Sequence, residues 1–158
     1  MHDMLRFEIP DRFRAVLVML ATLAFCTSPT LGNGTAETPP PLNGDYEIGV
    51  SAIKVKDWDR ALYHLDIAAR AEPANADVQN ELGYVYRNQG KYDLAFKHYN
   101  EALKLDPSHR GAHEYIGEAY LLTGDKAKAR QHLAALERIC GRQCEEYEDL
   151  QKAILEAK

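Results

Sequence analysis

One tryptophan, three methionines and three cysteines are all that 158 residues contain of those types. So few cysteines exclude a disulfide-framework miniprotein and leave material for a single internal bridge. Charge of neither sign dominates: 19 Lys+Arg stand against 24 Asp+Glu, a formal −5 that favours solubility and excludes a general nucleic-acid binder. A glycine-rich phosphate loop, a nucleophile elbow and a carboxylate pair in a recognisable setting are all missing, so the sequence reads as no enzyme and calls for no cofactor. Long apolar runs are absent too. The stretch AVLVMLATLAFC, Ala15 to Cys26, would span about 18 Å as a helix, too short for a hydrocarbon layer of roughly 30 Å.

That stretch fits another use. Arg12 and Arg14 precede it, and Ser28, Gly32, Gly34 and Ala36 follow it. A basic flank, a short apolar core and small residues make a secretory signal over residues 1–36, with Gly34-Thr35-Ala36 the best small-x-small cleavage match. The competing reading, a buried N-terminal helix, answers no need downstream. Cys26 ends LAFC and so invites lipidation, but Phe25 is too large for the small residue such a box carries. The expectation is a periplasmic or secreted protein with no membrane span once the signal is removed. Residues 37–42 belong to the Pro-rich stretch TAETPPPLNG, a semi-stiff spacer, and the folded part starts at Asn43.

What is present is periodicity. Blocks of 34 residues written from Leu42, Ala76 and Arg110 put the same chemistry in the same slots with no insertion. Ile48-Gly49, Leu82-Gly83 and Ile116-Gly117 align, as do Ala61, Ala95 and Ala129, then Leu65, Tyr99 and Leu133. Glu72-Pro73 and Asp106-Pro107 close the first two blocks. In the middle block Leu82, Val85 and Tyr86 recur at helical spacing, and Gly90 stops that helix at a tight turn. Lys91-Tyr92-Asp93 opens a second helix with Ala95, Tyr99, Ala102 and Leu103 on one stripe. Small Gly83 and Ala95 let the two helices approach closely, and Pro107 ends the second. One such hairpin cannot bury its apolar face alone; three stacked ones can.

LGYVYRNQGKYDLAFKHYNEALKLDP, Leu82 to Pro107, resembles the tetratricopeptide repeat family, and the likeness extends over residues 42 to 141. Departures fall at the ends of the array: Ala52 replaces a large aromatic in the first repeat, while Lys126 and Leu136 are atypical in the third. The resemblance implies an all-α fold, a right-handed superhelical stack of three hairpins (42–75, 76–109, 110–141) closed by a capping helix over 142–158. It also implies a concave groove lined by the first helix of each repeat. By position the groove presents Tyr46, Val50, Ile53 and Lys54, then Asn80, Tyr84, Arg87 and Asn88, then Glu114, Glu118, Leu121 and Leu122. Family members that clamp the carboxylate end of chaperone tails use Lys and Asn where Tyr46 and Val50 stand here, and basic residues in the third repeat. Gly111 to Leu122 holds no Lys or Arg, so an apolar or basic-ended peptide fits better.

After Cys140-Gly141 the segment to Lys158 carries Tyr147, Leu150 and Ile154 on one face, and Glu145, Glu146, Glu148 and Asp149 crowd its first turn, where the helix dipole favours negative charge. Cys140 and Cys144 therefore flank the turn into the capping helix. With no nearby His or third Cys a metal site is short of ligands, and Cys-x-x-x-Cys lacks the spacing of a thioredoxin-type redox pair. In an exported protein a disulfide is the most economical reading. Closing so short a loop stabilises by roughly 2 kcal/mol in the entropy model.

Histidine recurs at one slot, as His64, His98 and His132. Equivalent residues lie on the order of 10 Å apart in packed helices, too far to share a metal. His109 and His113 are four apart, but Ser108 to Gly111 reads as a turn, which would break their helical register. The functional expectation is a non-catalytic adaptor that binds another protein or peptide in its groove during assembly of an envelope complex. Two rivals stand beside it: a redox or enzyme-accessory factor using Cys140 and Cys144, and a structural subunit that oligomerises. Free-thiol counting separates the first rival, and a size measurement the second.

Overall fold

A computed structural model describes residues 43–157. The signal expected over 1–36, the spacer over 37–42 and Cys26 lie outside the described residues. Among the described residues there are seven helices and no strand: α1 (Asn43–Lys54), α2 (Trp58–Ala71), α3 (Ala76–Asn88), α4 (Tyr92–Leu105), α5 (Arg110–Leu122), α6 (Lys126–Cys140) and α7 (Glu145–Glu156). None of them is long and apolar enough to cross a membrane.

Local chemistry sets the boundaries. Asp57, Asn75 and Asp125 accept hydrogen bonds from backbone amides in the first turns of α2, α3 and α6, satisfying donors that have no partner inside the helix. His109 does the same for α5 through Nδ1, which accepts from the Ala112 amide at 3.0 Å. The turn expected over Ser108 to Gly111 is therefore shorter: α5 starts at Arg110, and the His113 amide donates to the His109 carbonyl at 3.2 Å. Gly90 and Gly124 close the first helices of the second and third repeats at φ 73° and 85°, the left-handed region that glycine enters without strain. Lys56 occupies the equivalent slot of the first repeat at φ 58°.

The helices pair as three hairpins, α1 with α2, α3 with α4 and α5 with α6; each hairpin rests on the next, and α7 closes the stack against α5 and α6. Leu65, Leu82, Tyr99, Ile116, Leu136 and Leu150 are fully buried along its length. Glycine makes the closest approaches. A Cβ on Gly49 would stand 2.8 Å from Leu65, and one on Gly83 would stand 2.6 Å from the Tyr99 ring. On Gly117 it would meet Leu150 of α7 at 2.6 Å. The capping helix thus fills, for the last repeat, the place that a second-helix side chain fills in the first two. Tyr147, Leu150 and Ile154 are its buried face, and each such side chain stabilises by about 1.5–3 kcal/mol.

Candidate functional site

Helices α1, α3 and α5 lie side by side, each touching the next, so their inner faces form one surface. At its centre the Tyr84 and Tyr115 rings stand 5.1 Å apart. The Arg87 guanidinium lies 5.2 Å from the Tyr84 centroid and 5.1 Å from that of Tyr115, an arrangement stabilised by attraction of the cation to the ring faces. Arg87 also ion-pairs with Glu118, and only 11% of its side chain is exposed. Tyr99 reaches the same region from α4. Its hydroxyl is buried without a hydrogen-bond partner, and burial pushes its pKa far up.

The C-terminal end of this face is acidic. Burial, then the charges of Glu118, Asp149 and Glu146, push the Glu114 pKa up to about 8, against a smaller opposing pull from Arg87. Glu146 and Asp149 belong to α7, which therefore walls the groove as well as capping the stack. A cavity of about 490 Å³ is lined by Arg87, Glu118, Leu121 and Leu122 of α3 and α5 on one side and by Ala153, Glu156 and Ala157 at the end of α7 on the other. At the far end Tyr46 is pushed up to about 12 by burial, then by Glu81 and Asp77.

Each expected groove residue has a definite place. Tyr84, Arg87, Glu114 and Glu118 come together, Tyr46 lies toward the α1 end, and Leu122, 59% exposed, lines the cavity. Val50 is half-buried. Ile53, Arg87 and Leu121 share one repeat slot, and all three turn inward: Ile53 packs on the α1–α2 core, Arg87 enters the tyrosine pair and Leu121 packs on the α6–α7 core. The slot faces two ways, because it sits on the seam where neighbouring helices meet: Arg87 and Leu121 also line the cavity. Lys54, Asn88 and Leu122 share the next slot and are all exposed; Asn88 donates to its own helix at the Tyr84 carbonyl, 2.8 Å away. Asn80 is only 4% exposed, a buried polar residue with Oδ1 unpartnered, and so is not open to a ligand as expected. Tyr115 and the α7 carboxylates were not expected in the site. Tyr115 was legible as an aromatic next to Glu114; the α7 residues were not, because nothing local says where a terminal helix docks.

The three histidines are stitches within hairpins. His64 Nδ1 meets Asp45 Oδ1 at 2.8 Å, His98 Nδ1 meets Gln79 Oε1 at 2.9 Å, and His132 Nδ1 meets His113 Nδ1 at 3.0 Å. At the C-terminal turn the sulfurs of Cys140 and Cys144 are in bonding contact, with Cα atoms 5.9 Å apart, a separation disulfides take.

A family model described as tetratricopeptide repeat matches residues 76–109, the α3–α4 hairpin with its closing turn. Residues 76–109 are thus a tetratricopeptide repeat. Its similarity to the TPR repeat-containing thioredoxin TTL4 of Arabidopsis thaliana is 30% identity over 96 residues, which is 61% of this chain and 13% of that protein. The fold is like that of the Arabidopsis OM64 TPR domain, with a TM-score of 0.66 at 18% identity over 72% of this chain and 93% of that one. It is also like the first TPR of Spaghetti bound to the HSP90 peptide SRMEEVD, with a TM-score of 0.64 at 20% identity over 71% and 89% of the two chains. Tetratricopeptide repeats are protein-interaction scaffolds, and this chain carries three hairpins of that kind.

Proposed function

We propose that this protein is a non-catalytic adaptor of the periplasm or the secreted fraction, which holds a partner peptide along α1, α3 and α5 during assembly of an envelope complex. The observation that carries the reading is the groove itself: a tyrosine pair at its centre, an exposed Leu122 and a cavity of about 490 Å³ at one end, bounded by carboxylates. The fold is shared with a domain whose structure holds a peptide. Exposed apolar surface rimmed by charge marks partner binding, and flat aromatic rings with a hydroxyl are efficient anchors for a peptide backbone. With Arg87 already paired to Glu118, the carboxylate left at the cavity is that of Glu156, which favours an apolar or basic-ended peptide over an acidic tail. The basic, apolar and small-residue order of residues 1–36 supports export, and a Cys140–Cys144 disulfide is compatible with an oxidising compartment.

The test is capture by crosslinking in the envelope fraction, repeated with Tyr84→Ala and Leu122→Glu, two changes outside the buried core. A groove-bound partner should be lost or weakened by more than about 1 kcal/mol in both variants while helical content is retained. A partner held equally well by both would overturn the groove reading.

A further inference from the structure

The turn between α6 and α7 carries chemistry that the groove does not use. Cys140 ends α6, Gly141 leaves the helix at φ 83°, Cys144 caps α7 and Glu146 lies in its first turn. Each of Cys140, Cys144 and Glu146 offers one ligand atom, and those atoms all lie within 4.8 Å of one another. Glu146 was absent from the sequence expectation, which counted the two sulfurs as short of partners.

A second observation concerns the state of that carboxylate. Its Oε1 is held by Arg110 Nε at 3.4 Å, whereas its Oε2 is out of water with no hydrogen-bond partner. A buried carboxylate oxygen without a donor is costly, and a disulfide has no hydrogen to give it. A cation between the oxygen and two thiolates would satisfy all three groups. Cys144 at the N-terminus of α7 is also placed where the helix dipole favours the thiolate.

We propose that, when the disulfide is reduced, Cys140, Cys144 and Glu146 bind a zinc ion, so that bridge and metal are alternative states of one turn. Two soft sulfurs and one carboxylate suit zinc, and three protein ligands leave the fourth position open to water or to a partner's side chain. The turn borders a cavity of about 540 Å³ that Cys140, Glu146 and His109 help to line. His109 does not complete the set, since its Nδ1 accepts from Ala112 and its Nε2 faces Asp77 at 3.0 Å. Reduction by a dithiol breaks the S–S bond, gives each protein sulfur a hydrogen and closes the reductant into its own disulfide. Zinc then displaces the two thiol protons to water. Transfer of the two electrons to a disulfide oxidant re-forms the bridge and releases the ion.

The test titrates zinc into the purified protein, reduced under anaerobic conditions or oxidised, against a chromophoric chelator. Cobalt is titrated in parallel to read the sulfur-to-metal charge-transfer absorption. The reduced protein should take one zinc per chain at least a hundredfold more tightly than the oxidised form and should show the cobalt–thiolate band. Glu146→Gln keeps the residue's shape and should weaken zinc at least tenfold, while His132→Ala should leave it unchanged. Equal zinc affinity in the two redox states overturns the proposal, as does a missing cobalt–thiolate band in the reduced wild type, a reading that needs no variant to fold. Undiminished binding by Glu146→Gln removes the carboxylate from the site and overturns it as well.

Discussion

His132 Nδ1 lies 3.0 Å from His113 Nδ1, across the α5–α6 hairpin. His113 Nε2 faces the Pro107 carbonyl at 3.1 Å, and a carbonyl can only accept. The His113 proton therefore sits on Nε2, its Nδ1 accepts, and His132 donates. A proton added at His113 Nδ1 sets N–H against N–H, and one added at His132 Nε2 puts a charge on a half-buried ring.

The consequence is a stability that falls with acid. Burial, then the neighbouring His113, lowers the His132 pKa from 6.5 to about 4, and burial lowers His113 as well. Around His113, His109 and Arg138 act in the same direction while the Pro107 carbonyl and Asp106 oppose them; the Tyr120 ring stacks on His132. A histidine depressed in the fold contributes stability that is full above pH 6.5 and is lost as pH falls toward 4. Both rings are partly solvated, so screening reduces the effect to on the order of 1 kcal/mol. His113→Gln copies the Gln79–His98 pair of the second repeat, and its amide oxygen accepts from a protonated His132. Urea unfolding at about pH 7.5 and pH 5 should show a smaller loss in the variant. Equal losses would exclude the pair as the source.

The fold was legible because each hairpin repeats its instructions locally: Ala95 beside Gly83 for close packing, Gly90 for the turn, Asn75 for the cap. The site was less legible, because its membership depends on contacts between repeats. Arg87 has the composition of a free ligand-binding residue, yet it is captured by Tyr84, Tyr115 and Glu118, two of which lie on the next hairpin. Glu146 likewise looks like helix-dipole chemistry alone until the turn folds it back beside two sulfurs.

Lys56 offers a stabilising change. Gly90 and Gly124 occupy its slot in the other repeats, and Lys56 holds φ 58° with a Cβ that disfavours this conformation by about 1 kcal/mol. Lys56→Gly should raise the urea midpoint by an amount equivalent to roughly 0.5–1 kcal/mol, after the entropy that glycine adds to the unfolded chain is offset. Gly90→Ala, at φ 73° with nothing near its Cβ, should lose a similar amount through backbone strain alone. A neutral or destabilising Lys56→Gly would show that the lysine makes a compensating contact.

Gly117→Ala tests how α7 is held. The added methyl would stand 2.6 Å from Leu150, which is fully buried and cannot withdraw. A loss of about 1–3 kcal/mol is expected, concentrated in the docking of α7. Hydrogen exchange should quicken across Glu145–Glu156 while α3 and α4 remain protected. Equal loosening of Ala76–Leu105 would mean that the cap and the repeats open as one unit.

Glu114 gives the groove a titration of opposite sense. Burial first, then the charges of Glu118, Asp149 and Glu146, raises its pKa from 4.5 to about 8, so at neutral pH it is a protonated donor. The two acidic groove residues Glu114 and Glu118 thus present a single anion, Glu118, already joined to Arg87, beside a neutral acid. A carboxyl raised in the fold contributes stability that is full below pH 4.5 and is lost as pH rises through 8. Glu114→Gln keeps the neutral shape at every pH and should be more stable than wild type above pH 8, by on the order of 1 kcal/mol once solvent screening is allowed for. A basic side chain entering the groove would hold Glu114 in its charged form, so its binding should release a proton and strengthen as pH rises from about 6 to 8. Isothermal titration of a captured partner in two buffers of different ionisation enthalpy reads that proton directly. A heat independent of the buffer would mean that no cation docks beside Glu114.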